Sequence, residues 1–420
     1  MDESRLVRDV AAWSARPDPA AFPYLPVVGE YHRVGKHFVA EPLLAQLDLA
    51  RSAAPRGAEQ GLTLRRFLDV LLDKRDGVYD YQTYLALSLL PMPADGGAPL
   101  AATDDGSAQQ RRHDRLLVHL VVDTLGFELA SLDGRTELFP QLRPDPEVRA
   151  KRCRLGVRAL SPALRRLGLD RPGIQPGARP GRVDDPLAAA RRVHAAVLAD
   201  ASAEEQQVLD LSILPVWTYH DEYLFIRVLQ SFETVFALLA VWLRAAVGAL
   251  ADGRPELAAR RIRNTEAGIE ESFLLFSLLA TMQIGSFQEF RQYTEGASAI
   301  QSRHYKLVES LCRIPDAERL DSPAFRSVPE LRTLVLEGIA NLDDTVWSAC
   351  RTGALNPDER ADVLGALRGF AAKLQQWRQT HYRLAVRMLG DRPGTGYTEG
   401  TPYLKEVRTI PVFQKAQELG

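Results

Sequence analysis

The sequence predicts an all-α protein, a helical bundle that carries a large helical insertion after an N-terminal arm. Three observations carry this expectation. Runs that alternate apolar and polar residues are scarce, whereas apolar residues recur at steps of three and four over long stretches. The best-delimited stretch starts at Asn356-Pro357 and stops at Gly390, with Arg383 and Arg387 in its last two turns. Two segments rich in turn residues, PMPADGGAPLAATDDGS and PGIQPGARPGRVDDP, separate periodic stretches as linkers do.

Taken in order, a proline-rich arm (RPDPAAFPYLP) leads to a helix over 31–49. Helical periodicity then covers 62–90, 109–131, 146–167 and 186–212. The longest helices follow at 219–251, 255–282, 285–313, 328–350 and 357–389, and a glycine-containing loop and a short tail close the chain. No internal repeat is evident. The expected organisation is an arm and first helix (1–41), a helical insertion (42–218) and a helical core (219–420), the last being where a bundle core belongs.

A chain of 420 residues has room for two to three average domains, or for one large domain with an insertion. With 52 basic and 54 acidic residues, no overall field draws it to nucleic acid or anionic membrane. Cys153, Cys312 and Cys350 lack CxxC spacing, which argues against a disulfide framework or a thiolate zinc site and suits a reducing compartment. The N-terminus MDESRLVRDVAAW has no apolar signal core, and the most apolar stretch, VFALLAVWLRAAVGALA, is interrupted by Arg244. A soluble, cytoplasmic protein is expected. Between Arg143 and Arg182 lie eleven basic and three acidic residues without an aromatic, a pattern that favours a solvated helix face over a base-stacking RNA surface.

Several residues invite chemistry. Val363, Leu367, Phe370, Leu374, Trp377, His381, Leu384 and Met388 form one apolar face of the 357–389 helix, so His381 occupies a slot suited to leucine. A buried imidazole needs a hydrogen-bond partner or a metal, since leaving it unpaired costs roughly 1–3 kcal/mol. Spacing alone does not choose between the two. His220, Asp221 and Glu222 fall in the first turn of the 219–251 helix, where carboxylates favour the positive end of the dipole; a metal-binding trio is the alternative. Phe287 and Arg291 stand four apart, hence on one helix face, where the arginine could clamp a carboxylate or form a surface ion pair. GTGYTEGT (394–401) is a hydroxyl-bearing loop able to close over a ligand. GxxxxGK[ST], GxSxG and HExxH patterns are absent, leaving phosphate-loop, hydrolase and zincin readings without support.

These segments occur together and in order, and the sequence resembles the tryptophan 2,3-dioxygenase superfamily of haem-dependent dioxygenases. Four blocks carry the likeness: VGEYHRVGKHFVAE (Val28 to Glu41), HDEYLFIRVLQSFE (His220 to Glu233), LLATMQIGSFQEFRQYTEGASAIQSRHYKLVE (Leu278 to Glu309) and WRQTHYRLAVRMLGDRPGTGYTEGTPYLK (Trp377 to Lys405). The third is the most specific, through its match to the family's TM…F..FR…..ASA.QS…..LE skeleton, with Val308 at the leucine position.

The resemblance implies a helical bundle around a pocket for haem b, iron protoporphyrin IX, with His381 as the proximal iron ligand. It implies that Arg291 pairs with an amino-acid carboxylate, that Thr395 meets the substrate's ammonium and carboxylate, and that Phe225 and Phe287 wall the aromatic ring. Tyr31, with Val28 and His32 beside it, matches an arm that in the family enters a neighbouring subunit's pocket, which implies a homotetramer. The distal position that holds a histidine in tryptophan dioxygenases falls on Leu229, so a direct hydrogen bond to the indole N–H is lost. The family's second arm tyrosine falls on Val28 and a leucine of that arm on His32. Where the family has a short connection between the arm and HDEY, this chain carries 42–218. The activity implied is insertion of dioxygen across the indole C2–C3 bond of tryptophan or a derivative, giving an N-formylkynurenine-type product. The alternatives are a haem-dependent hydroxylase or rearranging oxygenase of another aromatic amino acid, and a non-enzymatic all-α ligand-binding or regulatory protein.

Overall fold

The computed structural model describes residues 3–56, 59–93, 104–170, 185–390 and 401–419, and among them the chain is helical without a strand. The N-terminal segment expected to be an arm opens instead with α1 (Glu3–Ala15), whose Leu6, Val10 and Trp13 are buried at steps of four and three. The single helix expected over 31–49 is two helices, α2 (Tyr24–Val34) and α3 (Glu41–Ala53). The break falls at Gly35, whose φ is 90° and where a Cβ would meet the Val216 carbonyl oxygen at 2.5 Å. Helix α4 (Glu59–Leu72) completes this module, and α1–α4 share a hydrophobic cluster with Leu211 and Leu214.

The helix expected over 62–90 ends at Leu72, and a turn with Gly77 at φ 71° leads to the short α5 (Tyr81–Tyr84). Asp80 caps α5 by a reciprocal box with Thr83, which fixes where that single turn begins. Helices α6 (Ser107–Leu132), α7 (Pro146–Arg166), α8 (Pro186–Asp200) and α9 (Ala203–Leu211) follow, the last two separated by a capping box between Ser202 and Glu205.

The organising element is α10 (His220–Ala251), buried on nearly every side, as expected of a helix that is apolar all round. It is long and apolar enough to cross a membrane, and 83% of that apolar window is buried inside the protein. Around it lie α11 (Pro255–Glu271), α12 (Phe273–Leu279), α13 (Ile284–Phe290) and α14 (Arg303–Cys312). Four shorter helices, α15 (Ala317–Leu320), α16 (Pro323–Arg326), α17 (Pro329–Leu336) and α18 (Leu342–Arg351), lead to α19 (Pro357–Leu389) and α20 (Thr401–Val407). The boundaries of α19 coincide with those expected, because Asn356 and Glu359 form a capping box and Gly390 leaves the helix with φ 59°.

The expected domain divisions at 41 and 218 do not coincide with breaks in packing. Leu116, Leu125 and Leu160 of α6 and α7 belong to the same cluster as Leu224 and Leu239 of α10. A buried polar network reinforces that join. Arg152, within the basic stretch read as solvated, has a fully buried side chain that pairs with Glu128 at 2.8 Å and Asp221 at 2.6 Å. It also donates to the Thr281 hydroxyl at 3.0 Å, while Asp221 accepts the Gln283 backbone N–H at 2.7 Å. Gln283 immediately precedes α13, so α7 of the insertion anchors the helix that carries Phe287.

Candidate functional site

The first turn of α10 holds three polar residues with different partners. His220 Nε2 lies 3.0 Å from Glu128, and Asp221 is held by Arg152. Glu222 accepts the Val216 and Trp217 amides at 2.7 and 3.1 Å and the Tyr84 hydroxyl at 3.1 Å. Burial pushes the Glu222 carboxyl up to about 8 against the pull of those donors. The trio is therefore a buried joint between elements, beyond the dipole cap that spacing favoured.

One turn further along α10, Phe225 and Leu229 face a cleft with about 950 Å³ of non-atom space, part of it open to solvent. Phe287 and Arg291 close one side of it, and His381, Leu384 and Met388 of α19 close the other. The helix carrying Phe287 ends at Phe290, and Arg291 opens a 3-10 turn, yet both residues remain on the cavity wall. Phe225, Phe287 and Phe290 form an aromatic corner with ring centroids 5.4 to 5.7 Å apart and edge-to-face or tilted geometry.

A second lobe, with about 780 Å³ of non-atom space, adjoins the first and shares Tyr81, Leu229, Ile300 and His381 with it. The second is walled by Phe232, Phe236, Phe276 and Trp377 and edged by Lys306, Arg319, Arg378 and Arg408. Arg319 pairs with Glu309 at 2.9 Å. Among the described residues, no carboxylate pairs with Lys306, Arg378 or Arg408. The Lys306 ammonium meets the carbonyls of Ile300 and Ser302, and Arg378 donates to the Tyr305 hydroxyl and the Ile410 carbonyl. Burial, assisted by the Arg319 charge, lowers Lys306 to about 7. The Trp377 indole N–H is buried and has no hydrogen-bond partner among the described residues.

His381 stands at the seam of the two lobes. Its ring lies 5.3 Å from Trp377 and 6.3 Å from Phe276, nearly parallel to the latter. It makes no hydrogen bond among the described residues, so the opening alternative of a core histidine satisfied by a protein partner does not describe it. Burial lowers its pKa to about 4, which leaves the imidazole neutral at physiological pH with a nitrogen lone pair available to a ligand. The ring is partly exposed where it borders the cleft.

The structure thus brings together five of the residues singled out in the sequence: His381, Arg291, Phe225, Leu229 and Phe287. Tyr31 and Val28 are elsewhere. Both are buried in the α1–α4 cluster, and the Tyr31 hydroxyl donates to the Leu71 carbonyl at 3.0 Å, so the chain's own core holds the segment expected to reach a neighbour's pocket. His32 is likewise engaged, 2.7 Å from the Ile213 carbonyl. Thr395 lies outside the described residues. Sequence reasoning missed Tyr81 and Tyr84, which line the cleft from within the insertion. Their signal was a capped YQTY turn between breaks, obscured by reading 62–90 as one helix.

Fold and site define an all-α protein with a two-lobed aromatic cavity, a neutral imidazole between the lobes and cationic side chains along the second lobe. No family model matches the chain. Over 237 aligned residues it is 28% identical to the tryptophan 2,3-dioxygenase of Erythrobacter litoralis (strain HTCC2594), covering 46% of this chain and 86% of the relative. It is 25% identical over 227 residues to the tryptophan 2,3-dioxygenases of Burkholderia mallei (strain SAVP1) and Burkholderia pseudomallei (strain 668), covering 46% of this chain and 74% of each relative. The chain is thus similar, over just under half of its length, to tryptophan 2,3-dioxygenases.

Proposed function

We propose that the chain is a haem-dependent dioxygenase of tryptophan or a tryptophan derivative. The observation that carries the reading is His381: a neutral imidazole without a hydrogen-bond partner among the described residues, on a helix face otherwise apolar, bordering an aromatic-lined cleft. The second lobe fits the rest of such a group. Its aromatic walls suit a porphyrin face, and the guanidinium groups of Arg378 and Arg408, which pair with no carboxylate among the described residues, could meet carboxylates at a porphyrin edge. When bound, haem supplies the activation of dioxygen, the chemistry the side chains lack.

The chain's own residues handle the substrate. Arg291 would take the amino-acid carboxylate in a charge-assisted pair, strengthened by the low-dielectric cleft. Phe225 and Phe287 would hold the aromatic ring in the corner they make with Phe290. The apolar lining excludes water from the reacting centre. Leu229 leaves the ring N–H without a partner at the distal wall, which relaxes the demand for an unsubstituted indole and makes derivatives acceptable.

That same residue supports a second reading, a haem-dependent hydroxylase of another aromatic amino acid, since a ring without an N–H loses nothing at Leu229. Incubating the haem-loaded protein with tryptophan, 2-methyltryptophan or tyrosine under oxygen separates the two by product mass. Gain of both oxygen atoms without an added reductant is expected for dioxygenation. Gain of one, dependent on peroxide or reductant, supports hydroxylation. No oxygenated product from any of these substrates contradicts both.

A further inference from the structure

Three polar side chains lead from the cavity wall to the surface. Tyr81, on the capped turn of α5, lines both lobes and is 3% exposed. Its hydroxyl donates to one oxygen of Glu233 at 3.1 Å. The other oxygen of that fully buried carboxylate lies 2.8 Å from His304 Nδ1, and the His304 side chain is 16% exposed on α14. Glu233 stands four residues after Leu229 on α10, one helical turn from the distal apolar position.

The other ionisable groups of the first lobe offer no such path. Arg291 keeps its proton at any physiological pH. The Tyr84 hydroxyl goes to Glu222, whose remaining partners are the backbone amides of Val216 and Trp217, so that chain ends inside the protein. Among charged groups on the neighbouring elements, Lys306 of α14 is tied to the Ile300 and Ser302 carbonyls, and Asp80 caps α5.

We propose that Tyr81, Glu233 and His304 form a proton relay between bulk water and the cavity, serving the acid–base needs that Leu229 cannot meet. The inference rests on the oxygenase reading above. For inward transfer, His304 protonated from water passes its Nδ1 proton to Glu233. Tyr81 gives its hydroxyl proton to an acceptor in the cavity and takes the proton from Glu233. One proton moves from water to the cavity, and carboxylate and phenol are restored; outward transfer is the reverse. The relay matters most for a reaction that consumes or releases protons, and least for a dioxygenation whose product contains every atom of its reactants.

The test uses the full-length haem-loaded protein and hydrogen cyanide, which must shed its proton to bind ferric haem as the anion. Stopped-flow association is measured for wild type, Tyr81→Phe, Glu233→Gln and His304→Gln in water and heavy water. The His304→Gln variant keeps an N–H donor for Glu233 at a partly exposed position but cannot exchange a proton through it. All three variants are expected to bind cyanide about a hundredfold more slowly, the low end for a positioned acid–base group. Haem content and Soret position should be unchanged, and the heavy-water slowing expected for wild type should be lost. His304→Gln at the wild-type rate, with the isotope effect intact, would overturn the relay and leave the cofactor reading standing. Wild-type protein that takes up no haem would overturn the cofactor reading and the relay with it.

Discussion

Replacing His381 by leucine tests whether this imidazole is held neutral by its surroundings. In the folded protein burial lowers its pKa to about 4, against an ordinary value of 6.5. As pH falls below 6.5, the unfolded chain takes up a proton that the folded chain refuses, so stability is full above that pH and is lost progressively down to about 4. At 1.36 kcal/mol per pKa unit, the loss attributable to this one ring is about 3 kcal/mol. Other buried histidines, His37 among them, also titrate low, so the wild-type curve alone would not isolate the effect. The difference between wild type and His381→Leu does. Leucine fits the helix periodicity and carries no proton, so in urea unfolding of haem-free protein the difference should move by about 3 kcal/mol in favour of the variant between pH 7 and pH 4. A difference that stays constant with pH would refute the argument that His381 sits desolvated and unpartnered.

Other outcomes follow from the same geometry. Arg291→Leu should weaken binding of the amino-acid substrate by at least tenfold, since a desolvated charge-assisted hydrogen bond is worth roughly 1.5–3 kcal/mol, and should leave haem uptake unchanged; calorimetric titration checks this. Arg152→Met strands Glu128 and Asp221 without their cation, at a cost of about 3–5 kcal/mol in unfolding free energy measured by denaturant titration. Because Asp221 also holds the Gln283 amide, that variant should loosen α13 and weaken substrate binding as well. Gly35→Ala forces a side chain into a left-handed conformation against the Val216 carbonyl and should cost about 1–3 kcal/mol, read as a lowered Tm.

The fold class and two of the longest helices, α10 and α19, were legible because their determinants are local, whereas the stretches expected as single helices over 255–282, 285–313 and 328–350 are each broken. Asn356, Pro357, Glu359 and Gly390 mark α19 from within a few residues of its ends. Breaks set by contact with distant segments were not. Gly35 interrupts a periodic stretch because the backbone near Val216 passes against it, and nothing adjacent in sequence announces that neighbour. The same limit hid α1, whose Leu6, Val10 and Trp13 are spaced correctly but sit among charges that read as a solvated arm.

At the site, residues already lying on one helix face, such as Phe225 with Leu229, were found from spacing and resemblance. Those delivered from the insertion were not. Tyr81 and Tyr84 reach the cavity from the insertion, and Tyr31, matched to a family arm, is buried in a separate cluster because its neighbours Val27 and Val28 belong to that cluster's core. A lone arginine in a basic stretch gives no sign that it will be buried, and Arg152 became legible only once Glu128 and Asp221 were seen on either side of it.

The most direct measurement is the absorption spectrum of the protein titrated with haem, for wild type and His381→Ala. A saturable complex with one haem per chain and a Soret band typical of histidine ligation is expected for wild type, with that band weakened or displaced in the variant and recovered when imidazole is added. Wild-type protein that remains colourless with haem in excess, or a variant whose spectrum matches wild type, would contradict the assignment of His381 as the iron ligand.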